Sequence, residues 1–233
     1  MPALLTPPRR RGVEILDSPD VDPDLKTRSL ADVARANALF GGLSSVLNAL
    51  EETIGDLPRC ATLLDVGTGL GDIPRRARVL AQQRSVDLTT IGLDSALELT
   101  RASRPAVSFT VCGDALRLPF ADRSVDIVMC SQVLHHFAGA EALTLLREMD
   151  RVARVRVVVS DLRRSWIAAV GLWLVSFPLR FHAVSRHDGV VSVLRGFTPE
   201  ELSDTVNAAV ARKPIVRRRR GFRITATWAP AFQ

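Results

Sequence analysis

From Cys60 onward, short apolar runs alternate with amphipathic stretches, and this alternation constrains the fold more than any other feature of the chain. The runs CATLLDVG, VDLTTIGLD, AVSFTVCGD, VDIVMCS and ARVRVVVSD read as strands. They are short, rich in Val, Ile, Leu and Thr, and closed by Gly, Asp or Ser. DIPRRARVLAQQ, SALELTRAS and AEALTLLREMDRV, lying between them, read as helices. Such alternation predicts an α/β fold with a parallel sheet covered by helices on both faces. Near the end, KPIVRRRRGFRITATWA reads as two strands around Gly221, an antiparallel hairpin closing one edge.

A chain of 233 residues has room for one sizeable domain, here expected over 59–233. Residues 1–27 carry clustered prolines and aspartates and read as a mobile arm. Residues 28–58 read as a helical cap. One helix runs from Ser29 to about Phe40, stopped by Gly41 and Gly42, and a second from about Leu43 to Ile54. Each of the three cysteines, Cys60, Cys112 and Cys130, lies in or beside an apolar run, which predicts buried free thiols in a reducing cytoplasm. The start shows no apolar secretory segment. Trp166 to Leu179 is the most apolar stretch, shorter than the roughly 20 residues of a spanning helix, and reads as a buried or interfacial helix.

LLDVGTGLGD, Leu63 to Asp72, is where chemistry enters. A strand ending in Asp65 feeds a turn with Gly67, Gly69 and Gly71, and a helix follows. Glycine lets a ligand lie directly on the chain, and free N–H groups at a helix start face the same point. Ligands of open α/β sheets bind beyond the carboxyl ends of the strands. Two further strands end in Asp94 and Asp114. A carboxylate at Asp94 can accept hydrogen bonds from both ribose hydroxyls; alternatively, these acids cap the helices that follow. The spacing is G-x-G-x-G, and the third glycine of a dinucleotide fingerprint is replaced by Asp72. An acid there repels a pyrophosphate and favours an amino group. Adenosine with a cationic amino-acid tail suits the turn better than a diphosphate.

With the further runs IGLDSA and CGDALRLPFADRSVDIVMCSQVLHHF in the same order, the chain resembles a class I S-adenosylmethionine-dependent methyltransferase over about residues 60–229. The resemblance implies a Rossmann-like seven-stranded sheet with one antiparallel strand, and S-adenosyl-L-methionine as cofactor. By position, Gly67 and Gly69 would pack on the cofactor and Asp65 would organise its methionine end. Asp94, with Ser95, would hold the ribose, and Asp114 with the Ala115 backbone would meet the adenine. Ser131 would line the methionine side, with Thr68 and Asp72 as neighbours.

Methyl transfer from a sulfonium needs in-line approach of a nucleophile, and an oxygen nucleophile often needs a base. His135 and His136 follow the fourth strand, where the reacting centre is expected, and an imidazole can accept a proton there. His135 is the preferred base and His136 the fallback; either can instead pack or cap the next helix. His187 beside Asp188 could be a base with its neighbour, although SRHDG reads better as a solvated loop within a substrate cover, before a helix capped by Thr198 and Pro199.

Asn37, Phe40, Trp166, Trp173, Phe177 and Phe181 predict an apolar cover over a small lipophilic acceptor, with Asn37, Phe40, Trp166 and His187 as substrate contacts. The resemblance to ubiquinone/menaquinone-type and natural-product methyltransferases implies O-methylation of a phenol, quinol or polyketide-like metabolite. N- or C-methylation, RNA modification and cofactor binding without catalysis are the alternatives. The net charge of +6 and the run Arg217–Arg220 permit anionic partners. There is no tyrosine and no interleaved aromatic, so no specific nucleic acid is expected, and the arginines read as protection of a sheet edge. Lipid or membrane contact is compatible with the apolar stretch. No His/Cys group has zinc spacing, so no metal is expected.

Overall fold

A computed structural model describes residues 5–10, 12–18 and 21–230. The order is α1 (Pro23–Leu39), α2 (Gly42–Ile54), β1 (Cys60–Val66), α3 (Asp72–Gln82), β2 (Asp87–Asp94), α4 (Leu97–Ser103), β3 (Phe109–Cys112) and β4 (Val125–Ser131). Then come α5 (Ala140–Val152), β5 (Ala153–Leu162), α6 (Trp166–Ser176), α7 (Ala183–Arg195), α8 (Pro199–Val210), β6 (Ile215–Arg219) and β7 (Arg223–Trp228). The sheet has seven strands in the order β3-β2-β1-β4-β5-β7-β6. β7 runs antiparallel to both its neighbours and the other pairs are parallel, as expected.

Alternation along the central strands decides which helices lie on which face. Leu63, Ile127, Met129 and Val158 point to one side, where Val46, Leu50 and Ile54 of α2 and Ala77 and Ala81 of α3 cover them. Leu64, Val66, Val128 and Val159 point to the other, against Leu145 and Met149 of α5 and Leu202 of α8. Truncating a fully buried side chain such as Leu64 to Ala costs about 2–5 kcal/mol. α8 starts where its sequence dictates. Thr198 Oγ1 accepts from the Glu201 N–H and the Glu201 carboxylate accepts from the Thr198 N–H, with Pro199 in the first turn.

The turn between β6 and β7 depends on one glycine. Gly221 has φ +67°, and a Cβ there would lie 1.8 Å from the Phe40 carbonyl oxygen. The hairpin thereby docks onto the end of α1. Arg217 and Arg219 of edge strand β6 pair with Glu52 of α2, so half of the arginine run holds the edge to a helix as well as keeping it charged.

Four expectations are corrected. α1 begins at Pro23 rather than Ser29, and α2 at Gly42. Within the stretch 1–27, expected as an arm, residues 7–10 and 12–16 lie along α7 and the end of β5. The Pro7 carbonyl accepts from Arg164, Arg10 N–H donates to the Leu194 carbonyl, and the N–H groups of Ile15 and Leu16 both donate to Asp188 at 2.9 Å. The expected loop around His187 is helix α7, whose first N–H groups are capped by His182. Cys130 is buried in β4, whereas Cys60, opening β1, and Cys112, ending edge strand β3, are exposed because a strand end and an edge lack covering neighbours.

The apolar stretch at 166–176 is a surface helix. Only Ala169 and Ser176 of α6 are buried, while Leu174 is 55% exposed. Among the described residues, no helix is long and apolar enough to cross a membrane.

Candidate active site

The turn after β1 is tied to β2 by its backbone. Gly67 N–H and Thr68 N–H donate to the Leu93 carbonyl at 2.8 and 2.9 Å. Gly67 has φ +74°, and a Cβ there would stand 2.5 Å from Val133 Cγ2. The structure thus makes Gly67 a seat for Val133, where a cofactor contact was expected. At Gly69 a Cβ would meet nothing within 4 Å, so this glycine faces the open space in which a ligand can lie.

The acids behave unequally. Asp65 is buried; its Oδ2 accepts from Thr68 Oγ1 at 3.0 Å and its Oδ1 has no hydrogen-bond partner among the described residues. Burial pushes this carboxyl up to about 7, with the Asp94 charge adding and the Thr68 hydroxyl opposing. Asp94 accepts from the Gly69 N–H at 3.1 Å and the Ala96 N–H at 3.0 Å, which joins the ends of β1 and β2. Ser95 is exposed beside it. Asp114 is exposed and accepts from the Leu116 N–H at 2.8 Å, next to half-buried Ala115. Asp72 is exposed and pairs with Arg75, which leaves it outside the buried cradle. Ser131 Oγ, at the end of β4, is buried without a partner among the described residues.

These residues fit the implied cofactor. An orphaned buried carboxylate oxygen calls for a cation, which the ammonium of S-adenosylmethionine supplies. Asp94 retains lone pairs for ribose hydroxyls, and Ser131 Oγ is free for the methionine end. When bound, that cofactor supplies a methyl group on a sulfonium.

Beyond β4 and β5 lies a cavity of about 230 Å³. Its walls come from α1, α6, α7 and the β6–β7 turn, and include Phe40, Ile167, Leu172 and Phe181. Its polar wall groups include Glu14, Asn37, Gln132 and Arg223. Residues 131–133 join the two regions, since Val133 rests on Gly67 and Gln132 faces the cavity.

His135 sits beside this cavity in a 3-10 turn, Leu134–His136. Its Nδ1 lies 2.7 Å from Asp161 Oδ1, and its backbone N–H donates to Asp161 Oδ2 at 3.1 Å. Burial pushes the Asp161 carboxyl up, but the His135 charge and hydrogen bond and the Leu162 N–H outweigh it and hold the group below the usual carboxylate range. An ionised Asp161 keeps the proton on Nδ1 and leaves the lone pair on Nε2. Among the described residues Nε2 is buried without a hydrogen-bond partner, and it faces Glu14 Oε1 across 4.0 Å.

The side chain of His135 is only 2% exposed and is not itself on the cavity wall; Glu14 is. His136 is exposed, stacks on His135 at 4.3 Å between ring centroids, has Nδ1 3.4 Å from Arg195 Nη1, and, like His135, is not on the cavity wall. Glu14, His135 and His136 come close enough to share a metal ion. The Arg195 guanidinium, 2.9 Å from Glu14 Oε1, already supplies a cation at that point.

Of the expected acceptor contacts, Asn37 and Phe40 line the cavity. Trp166 and His187 do not. Trp166 lies at the outer face of α6 near Arg10, and the His187 side chain is 51% exposed, with Nδ1 2.8 Å from Asp188. Asp188 is the cavity residue of that pair, and it clamps the N-terminal stretch. Glu14, Asp161, Gln132 and Arg223 were not foreseen. Only Asp161 left a signal, as an acid closing a strand like the three that were noticed.

Known proteins resemble this chain in sequence and in fold. Residues 64–159 match the methyltransferase domain family. A demethylmenaquinone methyltransferase of Roseiflexus sp. (strain RS-1) is 29% identical over 216 residues, covering 84% of this chain and 88% of that protein. A second, from Roseiflexus castenholzii, is 38% identical over 65% of each chain. The plantazolicin methyltransferase BpumL, solved with SAH, superposes with a TM-score of 0.66 at 12% identity, covering 94% of this chain and 95% of its own, a likeness of fold. The glycine turn, the orphaned acid and these matches agree: the chain is a class I S-adenosylmethionine-dependent methyltransferase.

Proposed function

We propose that the enzyme methylates a hydroxyl of a small lipophilic acceptor, a phenol, quinol or polyketide-like metabolite. The buried Asp161–His135 pair, with Nε2 unpartnered beside an apolar cavity, carries this reading. A hydroxyl enclosed by apolar walls stays protonated unless a group accepts its proton. Glu14 lines the cavity and faces Nε2, so the proton passes from the acceptor through the Glu14 carboxylate to His135, and Asp161 stabilises the imidazolium that forms. Asn37 and Phe40 position the ring. The exposed apolar face of α6 suits an acceptor delivered from lipid, and the exposed thiols of Cys60 and Cys112 suit the cytoplasm.

A second reading is methylation of a ring carbon. It is favoured by the relatives named for demethylmenaquinone, whose quinone nucleus offers carbon as well as oxygen. Product NMR separates the two. With methyl-labelled cofactor and a panel of alkylated phenols and quinols, hydroxyl transfer puts the label in a methoxy group. Label in an aryl methyl group establishes the second reading, and a panel without product refutes both for this acceptor class.

A further inference from the structure

Arg223 is the first residue of β7 and is 4% exposed, yet it lines the acceptor cavity. Its partners are all neutral. Nη1 donates to Gln132 Oε1 at 2.9 Å, Nη2 to Asn37 Oδ1 at 3.3 Å, and Nε to the Phe40 carbonyl at 3.5 Å. No carboxylate forms an ion pair with it among the described residues, in contrast to buried Arg164, which pairs with Glu201, and Arg195, which pairs with Glu14. Asp161 is the acid whose charge it senses, and that carboxylate is committed to His135 and to the N–H groups of His135 and Leu162. Burial pulls the guanidinium down to about 10, so it remains a cation at neutral pH.

A buried cation held by three neutral oxygens is incompletely compensated, and an anion is the group that completes it. The backbone around it is shaped to hold it there. Gln132 and Phe222 both have positive φ, 57° and 56°, a conformation uncommon for residues other than glycine and concentrated at functional sites. Gln132 reaches Arg223 from the end of β4, and Asn37 reaches it from α1. The remaining walls are mainly apolar, and their three acids are already engaged: Glu14 with Arg195, Asp32 with Arg35 and the His182 N–H, and Asp188 with the Ile15 and Leu16 N–H groups, so an anion entering this cavity brings its charge on an otherwise apolar body.

We propose that Arg223 is the recognition point for an anionic oxygen of the acceptor, the phenolate of an alkylated phenol or quinol. This deepens the phenol or quinol reading above and rests on it for the acceptor class, but it does not depend on which atom is methylated. Arg223, aimed by Gln132 and Asn37, selects acceptors that ionise and shifts their ionisation downwards on binding. The planar guanidinium suits such an oxygen because it offers parallel donors and keeps its charge.

The test uses para-nitrophenol carrying an alkyl tail, whose colour reports its ionisation, with its methyl ether as the neutral counterpart. The SAH-bound enzyme should bind the phenolate at least about tenfold tighter than the ether and lower the phenol's apparent pKa by about one unit. Gln132→Glu places a carboxylate where a neutral amide now meets Arg223. It preserves the tie while supplying the missing charge, so phenolate preference and pKa shift should both vanish and the ether should bind as before. Arg223→Met should behave alike, and Arg223→Lys should keep part of the preference. SAH affinity and melting temperature report whether each variant folds. A merely structural Arg223 would be satisfied by Gln132→Glu, leaving phenolate binding unchanged. That result overturns the proposal, as does a wild-type enzyme that binds the ether equally well or binds no phenolate. A phenolate shift without methyl ether product would retain the proposal and remove O-methylation.

Discussion

The turn after β1 and the cover built from α1, α6 and α7 serve the same reaction but are made differently. In the turn, Asp65 meets Thr68 three residues away, and Asp94 meets Ala96 two residues away and Gly69, in the turn after β1, 25 residues away. In the cover, Asp188 holds Ile15 across 173 residues of sequence, and Arg223 meets Asn37 across 186. The first region is built within one pair of adjacent strands, β1 and β2. The second exists only when distant elements arrive together. Lesions on one side should therefore leave the other largely intact.

Asp94→Ala breaks the comparison hardest on the cofactor side. It removes charge-assisted bonds to the Gly69 and Ala96 N–H groups as well as the ribose contact. SAH affinity should fall by about 2–4 kcal/mol in calorimetry while the acceptor cavity stays formed. Tighter binding of NAD than of SAH by the wild type would contradict the site altogether.

Gly221→Ala attacks the other side. Its Cβ would collide with the Phe40 carbonyl at a positive φ, costing roughly 1–3 kcal/mol of stability. The acceptor KM should rise because Phe40 and Asn37 shift, with SAH affinity nearly unchanged. Equal damage to both ligands would mean that the regions are coupled.

Asp65 sharpens the contrast through pH. Its carboxyl is raised to about 7 in the fold from an ordinary 3.8. The folded state holds the proton longer than the unfolded chain does, so this group's contribution to stability is full below pH 3.8 and declines as pH rises towards 7. A cofactor ammonium favours the ionised form, so SAH binding below about pH 7 should release a proton and strengthen by up to about tenfold per pH unit as pH rises. Asp65→Asn should flatten both dependences; a wild-type profile flat through neutrality would remove Asp65 from the ammonium site. Arg217→Gln with Arg219→Gln should matter least, by about 1 kcal/mol of stability or less, with turnover unchanged. A selective loss of RNA methylation in that variant would instead favour nucleic acid as the substrate.

The same contrast explains what could be read before the fold was known. The strands, the closing hairpin and the glycine turn were legible because the apolar alternation and the glycine spacing are short-range signals. Asn37 and Phe40 were legible as parts of an apolar cap. Trp166 was misplaced because helix periodicity does not tell which side of α6 meets the cavity, and His187 because its stretch, a helix in the fold, reads as a loop. Their neighbours Asp188 and Ile167 face it instead. Arg223 looked like one more arginine in a basic hairpin. Its burial depends on α1 closing over β7, a contact between opposite ends of the chain. Cys112 was read as buried because a strand motif does not reveal that its strand forms an edge.

The Asp161–His135 pair is where the two regions must cooperate, and His135→Ala tests the account most directly. Single-turnover methyl transfer should be measured on two alkylated phenols of the same size, one weakly acidic and one made acidic by a nitro group. On the weakly acidic phenol the rate should fall by roughly 10²–10⁴ with SAH affinity unchanged, and on the acidic phenol by less than about tenfold, because it ionises unaided. Full turnover of the weakly acidic phenol by His135→Ala, or the same loss on both phenols, would contradict proton removal by this pair and leave positioning alone to carry the reaction.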